Sequence, residues 1–211
     1  MIESLQGRLI FGRTTHIRPL EPGPYAGRYH IEAHELERPD GTVLEGWSST
    51  PLDTPATGTL LYFGGRNENV VWAPDMASFN PGWAIHAFNY RGFGGSTGRA
   101  SERRAKADAS ALLDFVAARH PLAELAIAGR SLGTAVALSL AAEARPRRLV
   151  LLAEHDASIP HAQSRRLCER LPTPPTLHVI AGTTHQSLPR SGGAQRAIAA
   201  FLAQATRRQA A

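Results

Sequence analysis

Short apolar runs alternate along this chain with longer segments whose apolar positions recur at helical spacing. The apolar runs predict buried β-strands, and they lie at residues 59–63, 83–89, 125–128, 148–153 and 176–180. The segments with helical spacing lie near residues 69–76, 101–120, 132–144, 161–171 and 193–207. Strands that alternate with helices favour parallel pairing in one sheet with helices on both faces. The pattern therefore predicts an α/β fold.

The N-terminal part of the chain has a different pattern. Residues 29–35 and 42–47 alternate between apolar and polar positions on either side of Pro39-Asp40-Gly41, which is typical of a β-hairpin. His30 and His34 share one face of the first hairpin strand. They are either a metal-binding pair or exposed strand histidines, and we expect the latter because no third ligand is nearby.

Length and composition fit one domain. The chain has 211 residues, 43% of them hydrophobic, so we expect a single compact domain over residues 1–211. Residues 1–27 contain several prolines and glycines and little periodicity, which predicts an irregular N-terminal arm. The chain has no apolar stretch of about 18 residues, and its start lacks the features of a signal peptide. We therefore expect a cytoplasmic protein with no membrane partner.

Charge and cysteine content narrow the function classes. The net charge is +5, but the arginines are scattered in ones and twos without a long basic block. This distribution favours a solvated surface over a nucleic-acid site. The single cysteine, Cys168, excludes an internal disulfide and a cysteine metal site, and we expect it to be a core or half-buried thiol.

The strongest chemical pattern is a Gly-x-Ser-x-Gly sequence between an apolar run and a helical segment, at Gly129-Arg130-Ser131-Leu132-Gly133. A serine at a sharp strand-to-helix turn has backbone close on both sides, which explains glycine at both flanks. Ser131 would then project its hydroxyl above the sheet. The Leu132 N–H, unpaired at the start of the helix, would be free to donate to an oxyanion. The alternative is an ordinary glycine-flanked turn with a surface serine.

Three further positions follow predicted strands and belong at the same carboxyl edge of the sheet. Gly65, in Gly64-Gly65 after residues 59–63, offers an uncrowded backbone N–H, either as an oxyanion donor or as part of a plain loop. His185 and Asp156 follow the last two predicted strands. An imidazole can take the serine proton, and a carboxylate can fix the imidazole tautomer. Glu154 is the reserve acid.

These motifs together resemble the serine hydrolases of the α/β-hydrolase superfamily. The resemblance rests on Asn89-Tyr-Arg-Gly-Phe-Gly-Gly-Ser-Thr-Gly98, on Gly-Arg-Ser-Leu-Gly at 129–133, and on the acid loop Ala153-Glu-His-Asp-Ala-Ser-Ile-Pro160, from about residue 29 to the C-terminal helix. It implies a three-layer sandwich with a mostly parallel sheet and an N-terminal antiparallel hairpin. It also implies an oxyanion loop at Phe63-Gly64 in which Gly65 donates its N–H.

One departure from the family lies between the nucleophile and the acid. Asp156 follows Ser131 by only 25 positions, where the family usually has a further strand and a helical cap, roughly fifty residues more. We expect Asp156 to follow the strand next to the elbow strand, at the same edge. The lid would be minimal or absent, and a shallow open site suggests a small or exposed acyl group.

The sequence therefore predicts a serine esterase that acts on a small-molecule substrate through an acyl-enzyme intermediate. Its catalytic triad would be Ser131, Asp156 and His185, and no cofactor or metal is implied. The alternative is a catalytically impaired hydrolase-fold module that binds a protein or small ligand, because the shortened segment no longer aligns the three groups. Labelling of Ser131 by a fluorophosphonate probe distinguishes the two.

Overall fold

The computed structural model describes residues 27–66, 68–120, 124–144, 147–157, 161–169, 175–188 and 191–209. Its strands are β1 (Tyr29–Glu37), β2 (Val43–Pro51), β3 (Gly58–Phe63), β4 (Trp83–Phe88), β5 (Leu125–Gly129), β6 (Arg147–Ala153) and β7 (Thr176–Ile180). Its helices are a 3₁₀ helix (Val70–Phe79), α1 (Glu102–Ala117), α2 (Leu132–Ala144), α3 (His161–Glu169) and α4 (Gly192–Gln209). The predicted alternation of strands and helices is confirmed from β3 onward. The predicted N-terminal arm, apart from Gly27, lies outside the described residues.

All these strands belong to one sheet, in the order β1-β2-β4-β3-β5-β6-β7. The predicted hairpin is present, because β1 and β2 pair antiparallel, and β2 also pairs antiparallel with β4. From β4 through β3, β5, β6 and β7 every pairing is parallel. The sheet is therefore mixed rather than mostly parallel, since the hairpin adds a second antiparallel pairing where it joins β4.

The core lies on both faces of β3, which is buried along its whole length. Because side chains alternate along a strand, Leu61 and Phe63 pack in one cluster with α1 and α2. Leu60 faces the opposite side and packs in a cluster that includes Phe201 of α4. Helices on both faces of the sheet complete the predicted three-layer sandwich.

Two helices begin at the side chains that the sequence indicates. The Asn69 side chain accepts a hydrogen bond from the backbone N–H of Val71, so Asn69 caps the 3₁₀ helix. The Ser101 hydroxyl accepts one from the N–H of Arg104 at the start of α1. Such caps satisfy backbone donors that have no partner inside the helix. No helix in the described part of the chain has the length and apolar character needed to cross a membrane.

The hairpin histidines differ from the prediction. His30 is exposed, as expected, but His34 is buried, with 8% of its surface accessible. Its Nε2 lies 2.7 Å from the Ser48 hydroxyl, and its ring packs against Phe115 of α1. The alternating pattern of β1 did not reveal that the end of α1 covers this face. Cys168 is buried at 4% exposure, as expected.

The segment from Ser131 to Asp156 can be short because β6, the strand before Asp156, pairs directly with β5, the strand before Ser131. Between Ser131 and Asp156 the described residues form only α2 and β6, with positions 145 and 146 outside the description. Ala126 and Ile127 of β5 pair directly with the first residues of β6. The acid loop therefore follows the strand next to the elbow strand, as predicted, and no described residue of this segment forms a lid.

Candidate active site

Ser131 occupies a strained turn between β5 and α2. Its φ is 53°, and it is the one non-glycine residue with positive φ among the described residues. A Cβ at Gly129 would overlap the Gly133 carbonyl, and a Cβ at Gly133 would overlap the Phe63 carbonyl. The Arg130 N–H donates to that same Phe63 carbonyl at 3.0 Å. Gly129 is therefore required by the start of α2 folded back against it, and Gly133 by the end of β3.

The loop after β3 lies beside Ser131, the predicted nucleophile. A Cβ placed on Gly65 would come within 3.5 Å of the Ser131 Cβ and 3.4 Å of the Arg130 carbonyl. Leu132 is the first residue of α2, and its N–H has no hydrogen-bond partner among the described residues. The Gly65 N–H, in contrast, donates to Glu68 Oε2 at 2.5 Å. Of the two expected oxyanion donors, only Leu132 is free in this arrangement.

Glu68 joins the oxyanion loop to the elbow. Its Oε2 accepts from Gly65 and, at 3.0 Å, from the guanidinium of Arg130. Its Oε1 accepts from the Tyr62 hydroxyl at 2.9 Å and the Trp72 indole N–H at 3.2 Å. The side chain is only 8% exposed. No sequence pattern identified Glu68 as part of the site. The one local feature that could have indicated it is its position three residues after Gly65.

Tyr90 holds the other end of the Gly64–Gly65 peptide. Its hydroxyl donates to the Gly64 carbonyl at 3.0 Å in a buried position, and burial raises the pKa of Tyr90 far above its ordinary value. A trans peptide points its C=O and the following N–H in opposite directions. Fixing the Gly64 carbonyl therefore fixes the direction of the Gly65 N–H. Tyr90 stands in the motif that carried the family resemblance, but the motif alone did not reveal this contact.

The glycine-rich loop that contains Tyr90 is anchored by charged groups. The Arg91 guanidinium pairs with both carboxylate oxygens of Asp108, at 2.7 and 2.9 Å. It also pairs with Asp40 and holds the pKa of that carboxyl at about 2. A Cβ at Gly92 would come within 3.0 Å of the Gly98 carbonyl. The loop therefore packs closely on its own backbone.

The predicted acid and base are hydrogen-bonded to each other. His185 Nδ1 lies 2.9 Å from Asp156 Oδ2, with side-chain exposures of 18% and 10%. Because an ionised carboxylate only accepts, Nδ1 carries the proton in this pair. His185 Nε2 is then the nitrogen with a lone pair available to take a proton.

Backbone hydrogen bonds connect the acid loop to the base loop. The His155 N–H donates to the Thr183 carbonyl at 2.8 Å, and the Glu154 N–H donates to the Ile180 carbonyl at 3.2 Å. The Glu154 carboxylate accepts from the Gly182 N–H at 2.8 Å and is 47% exposed. Glu154, the reserve acid, is therefore engaged with the base-loop backbone, and Asp156 is the carboxylate bonded to His185.

The structure thus forms two groups at the carboxyl edge of the sheet. One contains Ser131, Gly65 and Leu132, and the other contains Asp156 and His185. Within the described part of the chain no hydrogen bond joins Ser131 to His185. Hydrogen bonds between nucleophile and base are often long without substrate and shorten in the reacting complex.

The chain is similar in sequence to one family model and to an uncharacterised protein. The family model described as serine aminopeptidase, S33, matches residues 54–153. An uncharacterised protein of Mycobacterium tuberculosis is 31% identical over 180 residues, which are 80% of this chain and 63% of that protein. The chain therefore spans less than two thirds of the length of this relative.

Solved structures extend the similarity to the whole fold. An esterase from Pyrococcus furiosus matches with a TM-score of 0.72 at 13% identity, over 91% of this chain and 96% of the esterase. A Xanthomonas campestris α/β serine hydrolase without a lid matches with a TM-score of 0.65 at 23% identity, over 91% of this chain and 98% of that protein. The TM-scores show a shared fold, and at identities this low the similarity shows the fold alone. The predicted three-layer sandwich is this fold.

Proposed function

We propose that this chain is a serine hydrolase of the α/β-hydrolase superfamily and that it cleaves ester-type bonds of small substrates. The family-model match over residues 54–153 and the fold shared with the solved neighbours support this proposal. The observation that carries the proposal is the 2.9 Å hydrogen bond between His185 and Asp156, which follow neighbouring strands at the sheet edge where Ser131 stands. The esterase activity named for the Pyrococcus neighbour favours an ester as the substrate class.

The proposed reaction begins with acyl transfer to Ser131. Its Oγ bonds to the ester carbonyl carbon while His185 Nε2 takes the hydroxyl proton, and the carbonyl electrons move onto oxygen. Asp156 keeps the imidazole in the required tautomer and stabilises the imidazolium. The N–H groups of Leu132 and Gly65 hold the oxyanion.

The second half of the proposed reaction releases the acyl group. His185 gives its proton to the leaving alkoxide as the ester C–O bond breaks, which leaves an acyl group on Ser131. A water molecule then attacks, with His185 as base, and the carboxylic acid departs as Ser131 regains its proton. All of these steps use groups of this chain and water.

Turnover of p-nitrophenyl acetate or butyrate tests the proposal. We expect Ser131→Ala to lower kcat by about 10³-fold or more, because triad members act as a unit. Ser139→Ala is the matched control, since Ser139 lies on α2 and its hydroxyl donates to the Val136 carbonyl of its own helix. A fluorophosphonate probe should label the folded wild-type protein and the control, but not Ser131→Ala.

The same experiment tests the alternative function. If the folded wild-type protein neither turns over the esters nor reacts with the probe, the chain is a hydrolase-fold binding module rather than an enzyme. Turnover that Ser131→Ala leaves unchanged would disprove the mechanism.

A further inference from the structure

The bond between Glu68 and Gly65 has a consequence for the reaction. We propose that Glu68 is a latch on the oxyanion site, whose carboxylate competes with the reaction's oxyanion for the Gly65 N–H. This inference rests on the proposed function, because it states that the rate of that same reaction depends on how readily Glu68 releases the Gly65 N–H.

The competition follows from the geometry of a single donor. Glu68 Oε2 lies 2.5 Å from the Gly65 nitrogen, and one N–H makes one strong hydrogen bond. A substrate carbonyl that becomes an oxyanion beside Ser131 needs this donor together with the Leu132 N–H. The site therefore supplies two donors only after Glu68 has released Gly65.

Charge adds to this competition. The carboxylate and the oxyanion are both negative, and Glu68 is 8% exposed, so water screens their repulsion poorly. The Arg130 guanidinium, 3.0 Å from Oε2, offsets part of this charge. It also gives Oε2 a partner that remains when Gly65 is released.

The remaining contacts permit such a release. Glu68 Oε1 is held by the Tyr62 hydroxyl and the Trp72 indole N–H. A small swing of Oε2 toward Arg130 breaks the Gly65 bond while Oε1 keeps both donors. The movement thus breaks one hydrogen bond and leaves the other three in place.

The test compares Glu68→Ala with the wild-type enzyme. We expect kcat for p-nitrophenyl acetate to rise about two- to tenfold, because one competing hydrogen bond is removed from the transition state. The affinity for phenylboronic acid, which forms a tetrahedral anion on Ser131, should rise by a similar factor. Glu68→Gln should give a smaller rise, since a neutral amide competes less strongly than a carboxylate.

A carboxylate that only supports the loop would give the opposite result. In that case Glu68→Ala and Glu68→Gln would lower both kcat and boronate affinity, and this would overturn the proposal, as would unchanged values. Glu102→Gln is the matched control, because Glu102 is an exposed carboxylate on α1 that pairs with Lys106. If Glu68→Ala does not fold, the same readouts on Glu68→Gln decide. Loss of turnover in Ser131→Ala establishes separately whether the proposed function holds.

Discussion

The two groups of the candidate site are held by different means. One group, the nucleophile group, contains Ser131, Gly65 and Leu132. It lies at the ends of β3 and β5 in the middle of the sheet, where β3 is buried throughout. Asp156 and His185, the acid–base group, follow β6 and β7 near the lateral edge of the sheet, where no residue of β7 is fully buried. Close packing of backbone against backbone fixes the nucleophile group, whereas hydrogen bonds between two loops fix the acid–base group.

This difference explains how the chain tolerates its short central segment. The elbow depends on steric contacts within a few residues and with the end of β3, so a deletion after α2 leaves it intact. The acid–base pair depends on β6 and β7 being neighbours, and their loops bond to each other rather than to the elbow. The hydrogen bond within the pair therefore depends on the β6–β7 pairing and not on the length of the segment before β6.

The largest expected effect comes from the acid–base group. Asp156→Asn replaces an acceptor by an amide that can favour the wrong imidazole tautomer, and we expect kcat to fall by about 10³- to 10⁴-fold. Thermal stability should change little, because the loop backbone bonds remain. Asp114→Asn, an exposed position on α1, is the control. A loss below tenfold would mean that Asp156 does not act through His185.

The nucleophile group should respond through its backbone. A methyl group at Gly133 must displace the carbonyls of Phe63 and Gly64, so Gly133→Ala should lower kcat by at least about 100-fold and reduce the melting temperature. Gly27→Ala is the control, because a Cβ there meets nothing within 4 Å. Full activity of Gly133→Ala would show that close packing against the end of β3 does not fix the elbow.

The buried middle of the sheet should also be more sensitive to acid than its edge. His86 on β4 is 1% exposed, and neither ring nitrogen has a hydrogen-bond partner among the described residues. Burial, followed by the charges of His120, His34 and Arg119, lowers its pKa from 6.5 to about 3. The unfolded chain therefore binds a proton that the folded chain does not between these values, so stability is lost as pH falls from 6.5 toward 3.

The loss of unfolding free energy per pH unit can be measured. One such proton corresponds to at most about 1.4 kcal/mol of unfolding free energy per pH unit. Denaturant titrations at a series of pH values should show a shallower slope for His86→Leu than for wild type. His178→Leu, at an exposed position on β7, is the edge control. Equal slopes for wild type and His86→Leu would contradict the assignment.

The smallest expected effect concerns the direction of one N–H. Tyr90→Phe removes the donor to the Gly64 carbonyl, so the Gly65 N–H loses part of its orientation, and we expect kcat to fall about tenfold. KM should change little, because the contact is not with substrate. Tyr29→Phe, another buried tyrosine, controls for the general loss of a hydroxyl. A change in KM alone would assign Tyr90 to substrate binding instead.

Local rules explain which parts of the site were predictable. The elbow and the Asn69 and Ser101 caps follow from residue types within one turn, and the positions of Asp156 and His185 follow from strand ends. The prediction for His34 was wrong because a covering helix leaves no mark on the strand it covers. Glu68 was missed because no sequence pattern marks its contacts. Three of its donors lie within six positions of it in the chain, and the fourth, on Arg130, lies 62 positions away.

The sequence by itself determined that the nucleophile turn needs glycine at both flanks and that acid and base follow strands, because these are constraints between near neighbours. Only the tertiary structure decided that Asp156 meets His185 across 29 positions and that Glu68 meets Arg130 across 62. Such contacts form only when strand order and register bring distant segments together. The pairing of β3 with β5 brings Arg130 to Glu68, because Glu68 follows the end of β3 and Arg130 follows the end of β5.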